Sequence, residues 1–186
     1  MFIRSAARAR DFPPDRGREV ALVGRSNSGK STALNCLVDA RKLARVSKTP
    51  GRTQLVNFFE VASERRIVDL PGYGFAHAPR ATQARWQSLM EEYLCTRESL
   101  AGLFLTVDVR RGLLELDRHM LGTARSLGIP VAVLATKADK LGRQAALAAQ
   151  QTIEAAASVP ATLFSARTKQ GVDEARARLE EWLQIP

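Results

Sequence analysis

Residues 19–37 read EVALVGRSNSGKSTALNCL, and this stretch restricts the fold more than any other. An apolar run ends at Gly24, small and polar residues follow, and Gly29-Lys30-Ser31 opens an amphipathic pattern. The expected order is a strand, a tight loop and a helix. A core segment has no use for such an interruption, whereas a loop that wraps an anion does. Gly24-Arg25-Ser26-Asn27-Ser28-Gly29-Lys30-Ser31 matches G-x-x-x-x-G-K-[ST]. Its glycines let the backbone curl so that successive N–H groups converge on phosphate oxygens. The helix start adds unpaired donors and the positive end of its dipole. Lys30 would span the β- and γ-phosphates of a nucleotide, and Ser31, followed by Thr32, would offer its hydroxyl to Mg2+.

The rest of the chain alternates strand and helix patterns. TQLVNFFEVA and ERRIVDL read as two adjacent strands of a hairpin, and further strands are expected at 102–109, 130–136 and 161–166. Helices are expected from Gly29 onward, over 81–100, and near 115–127, 143–157 and 171–184. Over 81–100, Trp86, Leu89, Met90, Tyr93 and Leu94 share one helical face. This order predicts an α/β fold: a mostly parallel, doubly wound sheet with helices on both faces and ligands at the carboxyl ends of its strands. At 186 residues, with no internal repeat, the chain suits one domain. The opening MFIRSAARAR is arginine-rich and acid-free, and DFPPD follows, so residues 1–18 are expected to be a surface lead-in and 19–186 the domain.

Other strand ends carry matching chemistry. TKAD, Thr136-Lys137-Ala138-Asp139, follows a buried strand. A carboxylate there can accept two parallel hydrogen bonds from the ring N–H and exocyclic amine of guanine, a donor pair that adenine lacks. The stem of Lys137 can cover one face of the base. DLPGYG puts Asp69 where it can reach Mg2+ through water, with Leu70 and Pro71 leading to Gly72, whose N–H can bond the γ-phosphate. In TPGRTQ, Thr49 and Thr53 both qualify by chemistry to complete the Mg2+ shell, with Gly51, Arg52 and Gln54 around them. FSAR places Ser165, Ala166 and Arg167 after the last strand, where the Ala166 N–H could meet the guanine carbonyl oxygen.

Charge narrows the partners. A net charge of +9 biases the chain toward polyanions. Arg41, Lys42, Arg45, Lys48 and Arg52 crowd a turn-rich linker, Arg65 and Arg66 sit on the hairpin, and Arg110 and Arg111 follow a strand end. Cys36 and Cys95 lie in helical patterns without a C-x-x-C and read as small buried hydrophobes. No apolar run is long enough to cross a bilayer.

Taken together, GRSNSGKS, LARVSKTPGRTQLVNFFEV, VDLPGYGFA, WQSLMEEYL, VDVRRGLLELD, ATKADKL and LEEWL resemble the EngB (YsxC/YihA) family of bacterial GTPases, a TRAFAC-class group, over most of residues 20–184. The resemblance implies a Ras-like P-loop GTPase domain that binds GTP and GDP with Mg2+ and hydrolyses GTP slowly. It implies a role in assembly of the large ribosomal subunit and a requirement in cell division and septation. It also implies partners among large-subunit precursors and ribosomal RNA, not DNA or membrane, for a cytoplasmic and expectedly monomeric protein. By the family pattern Thr53 joins Ser31 and Asp69 at the Mg2+, and Lys30, Thr53 and Gly72 are the groups expected to serve hydrolysis. Asn27 stands where certain similar GTPases carry an asparagine that helps to bind K+.

Departures are few. Thr136 replaces the asparagine of most GTPases, although threonine is usual in this family, and FSAR replaces a more usual double serine. His77 stands where the family often has lysine and is expected to be an exposed loop residue, not a base. Tyr73 occupies the place after D-x-x-G where Ras-like sites put a water-positioning glutamine, which predicts slow turnover. A GTP-dependent RNA- or ribosome-binding module with negligible hydrolysis, and an ATPase of similar fold, are the competing expectations.

Overall fold

Period-two patterning divides the side chains of every central strand between two cores. The computed structural model describes residues 1–38, 55–74 and 80–185. Its elements are β1 (Phe2–Ala6), β2 (Arg18–Gly24), α1 (Lys30–Leu37), β3 (Val56–Ala62), β4 (Arg65–Asp69), α2 (Arg80–Thr96), β5 (Leu100–Asp108), α3 (Glu115–Ser126), β6 (Val131–Thr136), α4 (Arg143–Ala157), β7 (Ala161–Phe164) and α5 (Val172–Leu183). On β2, Val20 and Leu22 point to one face, where Leu34 of α1 and Leu179 of α5 cover them. Ala21 and Val23 point to the other, beneath Tyr93 of α2, Met120 of α3 and Ile153 of α4. A strand buried on both faces reads as a continuous apolar run, as EVALVG does.

The seven strands are ordered β1-β3-β4-β2-β5-β6-β7. β4, β2, β5, β6 and β7 run parallel, and β3 is antiparallel to β4, closing the expected hairpin through Ser63 and Glu64. β2 sits between β4 and β5, and the connection leaving β2 runs to the β4 side while that leaving β5 runs to the β6 side. That topological switch point opens a crevice beyond the carboxyl end of β2.

The first eighteen residues carry a strand that the sequence reading did not include. β1 pairs antiparallel with β3 and extends the sheet. The following segment is tied down at the amino-terminal ends of the parallel strands. Glu19, fully buried, accepts bonds from Arg66 Nη1 (2.9 Å), Arg97 Nε (3.0 Å), Arg97 Nη2 (2.7 Å) and the Tyr93 hydroxyl (2.9 Å). The same guanidinium groups donate to the carbonyls of Pro13, Pro14 and Arg16, and Asp15 accepts the N–H groups of Glu98 and Ser99. Backbone carbonyls recruited by buried arginines leave no hydrophobic pattern, so the sequence does not announce them. Cys36 is buried as expected, but Cys95 is exposed, because it falls on the outer side of α2.

Candidate functional site

The phosphate-loop pattern folds as a closed turn on the end of β2. Asn27 and Gly29 both take positive φ, at 64° and 91°, the left-handed backbone that curls a loop inward. At Gly24 close approach sets the residue: a Cβ there would lie 2.1 Å from Thr106 Oγ1. Ser28 is buried, and its hydroxyl meets Thr106 Oγ1 at 2.7 Å, which also bonds the Val23 carbonyl at 3.1 Å. Lys30, Ser31 and Thr32 form the first turn of α1, whose N-cap is Gly29. Lys30 is buried, and its ammonium pairs with the equally buried carboxylate of Asp69 at the end of β4.

Past Asp69 the chain continues alongside the loop. Leu70 N–H donates to the Leu22 carbonyl (3.0 Å), Tyr73 N–H to that of Gly24 (3.3 Å), and Ser26 N–H to that of Tyr73 (2.9 Å). Leu70, Pro71 and Gly72 are thus held against Gly24, Arg25 and Ser26 by backbone bonds. The Tyr73 hydroxyl donates to Asp117 Oδ1 at 2.6 Å, and Asp117 Oδ2 accepts the N–H of Leu114 at the start of α3. Burial, reinforced by the Asp117 carboxylate, pushes the Tyr73 phenol well above its ordinary pKa, so it stays a proton donor.

Thr136, Lys137, Ala138 and Asp139 leave β6 in a tight turn bonded to the same loop. The Thr136 hydroxyl faces the carbonyls of Ser28 and Val107, and the Lys137 ammonium donates to the Asn27 carbonyl at 2.7 Å. Lys137 itself has positive φ, 60°. Its ammonium also pairs with Asp108 at 2.9 Å, and Arg110 grips that carboxylate through Nε and Nη2 at 2.9 and 2.7 Å. The Arg110 guanidinium, seconded by Lys137, holds Asp108 well below the usual carboxylate range. Asp139 accepts from the Ser165 hydroxyl and from Arg167 Nε, both at 2.8 Å, which draws the loop of Ser165, Ala166 and Arg167 beside it. Those two bonds, Arg167's foremost, hold its carboxyl below the ordinary value.

The structure therefore gathers four of the expected segments at the carboxyl ends of β2, β4, β6 and β7. Thr49, Gly51, Arg52, Thr53 and Gln54 lie outside the described residues, as do Arg41, Lys42, Arg45, Lys48 and His77. Thr106, Asp108 and Asp117 were missed, although a polar residue near the end of an otherwise apolar strand, as in LFLTVD, is a readable signal. Arg66, expected on a basic surface, is instead buried against Glu19 at the opposite pole.

Two independent elements, a phosphate-type loop and a turn bearing a guanine-type carboxylate, are thus locked together on one sheet edge. Residues 19–137 match the model of a family described as 50S ribosome-binding GTPase. A probable GTP-binding protein EngB of Enterobacter sp. (strain 638) is 49% identical over 97% of this chain and 89% of its own length. The chain belongs to the EngB family of GTP-binding proteins. A second EngB, from Coxiella burnetii (strain RSA 331 / Henzerling II), is 43% identical over 98% of this chain and 92% of its own. The crystal structure of a probable EngB superposes with a TM-score of 0.74, covering 90% of this chain and all of the other, at 23% identity. That likeness is one of fold. As an EngB-family member the chain is a P-loop GTPase, and GTP and GDP are its substrate and product.

Proposed function

We propose that this GTPase works as a slow, Mg2+-dependent switch in assembly of the large ribosomal subunit, and that cell division and septation depend on it through that task. The observation that carries the reading is the pair of bonds from Thr136 and Lys137 to the Ser28 and Asn27 carbonyls. They tie the Gly24–Ser31 loop to the turn that bears Asp139, which supports a single ligand spanning a triphosphate cradle and a purine-reading carboxylate. In this reading the N–H groups from Arg25 to Thr32 and the Lys30 ammonium take the phosphates. Asp139 takes the guanine N–H pair, the Lys137 stem covers the base, and the Ala166 N–H meets its carbonyl oxygen.

The donor set fits a hard cation: the buried Asp69 carboxylate and the Ser31 hydroxyl are oxygen ligands of the kind Mg2+ selects, with Thr53 as the family's third. When bound, Mg2+ supplies Lewis-acid charge beside the β- and γ-phosphates. The Lys30 ammonium and the Asp69 carboxylate face each other at the cradle, which supports a site where phosphate meets the one and Mg2+ the other. Lys30 then holds the γ-phosphate oxygens electrostatically, while Gly72 offers its N–H to the same group. K+ beside Asn27 is the cation proposed to supply the remaining charge, and equal turnover in Na+ and K+ would overturn that part.

Slow hydrolysis follows from Tyr73. Its hydroxyl is engaged by Asp117 and turned toward α3, and a phenol that stays protonated is no base for a water. A cytoplasmic monomer that grips ribosomal RNA through its arginine- and lysine-rich linker completes the reading. Two experiments test it. Asp139→Asn should move nucleotide preference from GTP to xanthosine triphosphate, and retention of GTP preference would remove the base assignment. Sedimentation with large-subunit precursors should show salt-sensitive binding that is tighter with GTP than with GDP. Equal binding in both nucleotide states would refute the switch.

A further inference from the structure

Arg167 stands apart from the other basic residues around the site. Its guanidinium is bonded to the one carboxylate that, in the reading above, must be available to the base. Asp139 Oδ1 receives the Ser165 hydroxyl and Oδ2 receives Arg167 Nε, each at 2.8 Å. The Lys140 ammonium lies a further 3.9 Å from Oδ2. Guanine has to place two neutral N–H groups side by side on these same two oxygens.

From this juxtaposition we propose that Arg167 competes with guanine for Asp139 and so sets nucleotide affinity and residence time downward. The chemistry gives the sign. A guanidinium is an ionised donor, and charge-assisted bonds are roughly twice as strong as neutral ones. Guanine brings only neutral donors. Either the arginine swings away when the base enters, and its bond is lost, or it stays on Oδ2 and its charge weakens the oxygens as acceptors. Both routes make the guanine bonds worth less than they would be to a free carboxylate.

Geometry makes the competitor weak enough to yield. The Asp139 side chain is 7% exposed, but the Arg167 side chain is 68% exposed, on the loop after β7. An exposed pair of this kind is worth little, and salt screens it. Ser165 differs in kind, since its uncharged hydroxyl orients Oδ1 without neutralising it. Arg167 is therefore a specificity-tuning residue and not a catalytic one. Its effect is confined to nucleotides read by Asp139, and it keeps affinity low enough for a slow GTPase to exchange product.

The inference rests on the base-reading role of Asp139 proposed above, and a double-mutant cycle separates the two. GDP binding is measured by calorimetry, and release by stopped-flow fluorescence of a labelled GDP, for wild type, Arg167→Ala, Asp139→Asn and the double variant. The Asp139→Asn proteins are read with xanthosine diphosphate. Arg167→Ala is expected to bind GDP about two- to five-fold more tightly and to release it correspondingly more slowly, the range expected for an exposed ion pair. That gain should shrink with added salt and vanish on the Asp139→Asn background. Unchanged or weaker GDP binding in Arg167→Ala, with Asp139→Asn still switching to xanthosine nucleotides, overturns the competition alone. Failure of Asp139→Asn to switch overturns the base assignment and this inference with it.

Discussion

Glu19→Gln is the sharpest test of what holds the sheet together away from the site. Glu19 pairs in register with Arg66 across β2 and β4, and Arg97 reaches it from the end of α2. Glutamine keeps the shape but removes the charge and replaces one acceptor oxygen with an amide NH2, which only donates. Both guanidinium groups, 8% and 9% exposed, then lose their shared counter-charge. Asp15 lies 3.6 Å from Arg97 and compensates only in part. Removing one partner of a buried ion pair costs about 3–5 kcal/mol. A single charge-assisted bond is worth about 1.5–3 kcal/mol, so losing two of them gives about 3–6 kcal/mol, which overlaps that range. For a domain of this size that corresponds to a Tm lower by roughly 6–20 °C. Urea unfolding followed by circular dichroism in nucleotide-free buffer measures the free-energy loss, and a thermal melt the Tm. Because the network lies at the pole opposite the phosphate loop, GDP affinity of the folded variant should stay within about two-fold, less than the 1.4 kcal/mol that a tenfold change represents. A loss below about 1 kcal/mol, or a folded variant that no longer binds GDP, would refute the reasoning.

Gly24→Ala drives a Cβ to 2.1 Å from Thr106 Oγ1 and 2.7 Å from Ser28 Oγ. It should destabilise by about 1–3 kcal/mol and lower GDP affinity by about tenfold or more by displacing the loop's N–H groups; near-wild-type calorimetry would contradict this. Tyr73→Phe strands a lone pair of Asp117, itself 2% exposed, and should cost about 1–3 kcal/mol in unfolding free energy. Single-turnover phosphate release within about threefold of wild type would agree with a phenol that takes no part in chemistry, a change of less than 1 kcal/mol in barrier. Asp108 has a folded pKa held below its ordinary value near 3.9. Its stabilising contribution is therefore complete above about pH 4 and lost as pH falls through the folded pKa. The stability gap between wild type and Asp108→Asn should close on acidification, and a gap unchanged from pH 6 to pH 3 would exclude the Arg110 and Lys137 pairing as its source.

Local pattern carried far in this chain. The strand–loop–helix at Gly24–Ser31, the hairpin, the apolar face of α2, the positions of α3 to α5 and the Asp139 turn were all legible, because each depends on residues near one another in sequence. Two features of the lead-in were not legible: β1, whose pairing with β3 joins Phe2 to Phe59, and the carbonyls of Pro13 and Pro14, which serve Arg66 of β4 and Arg97 just after α2. Arg66 read as a surface cation and Arg167 as part of the segment after the last strand. One proves to be a buried partner of Glu19 and the other a partner of Asp139, since a guanidinium goes to whichever carboxylate the fold brings within reach.

What the sequence determined by itself was the inventory: a match to the phosphate-loop pattern, a carboxylate just beyond a buried strand, a mostly parallel sheet to carry both, and the family. Backbone geometry and hydrophobic period act over a few residues, so they can be read along the chain. Only the tertiary structure decided that Thr136 and Lys137 bond the phosphate loop, that Lys30 pairs with Asp69, that Tyr73 turns to Asp117, and that Arg167 lies on Asp139. Those are through-space electrostatic choices between groups brought together by strand order, and strand order is a property of the folded sheet.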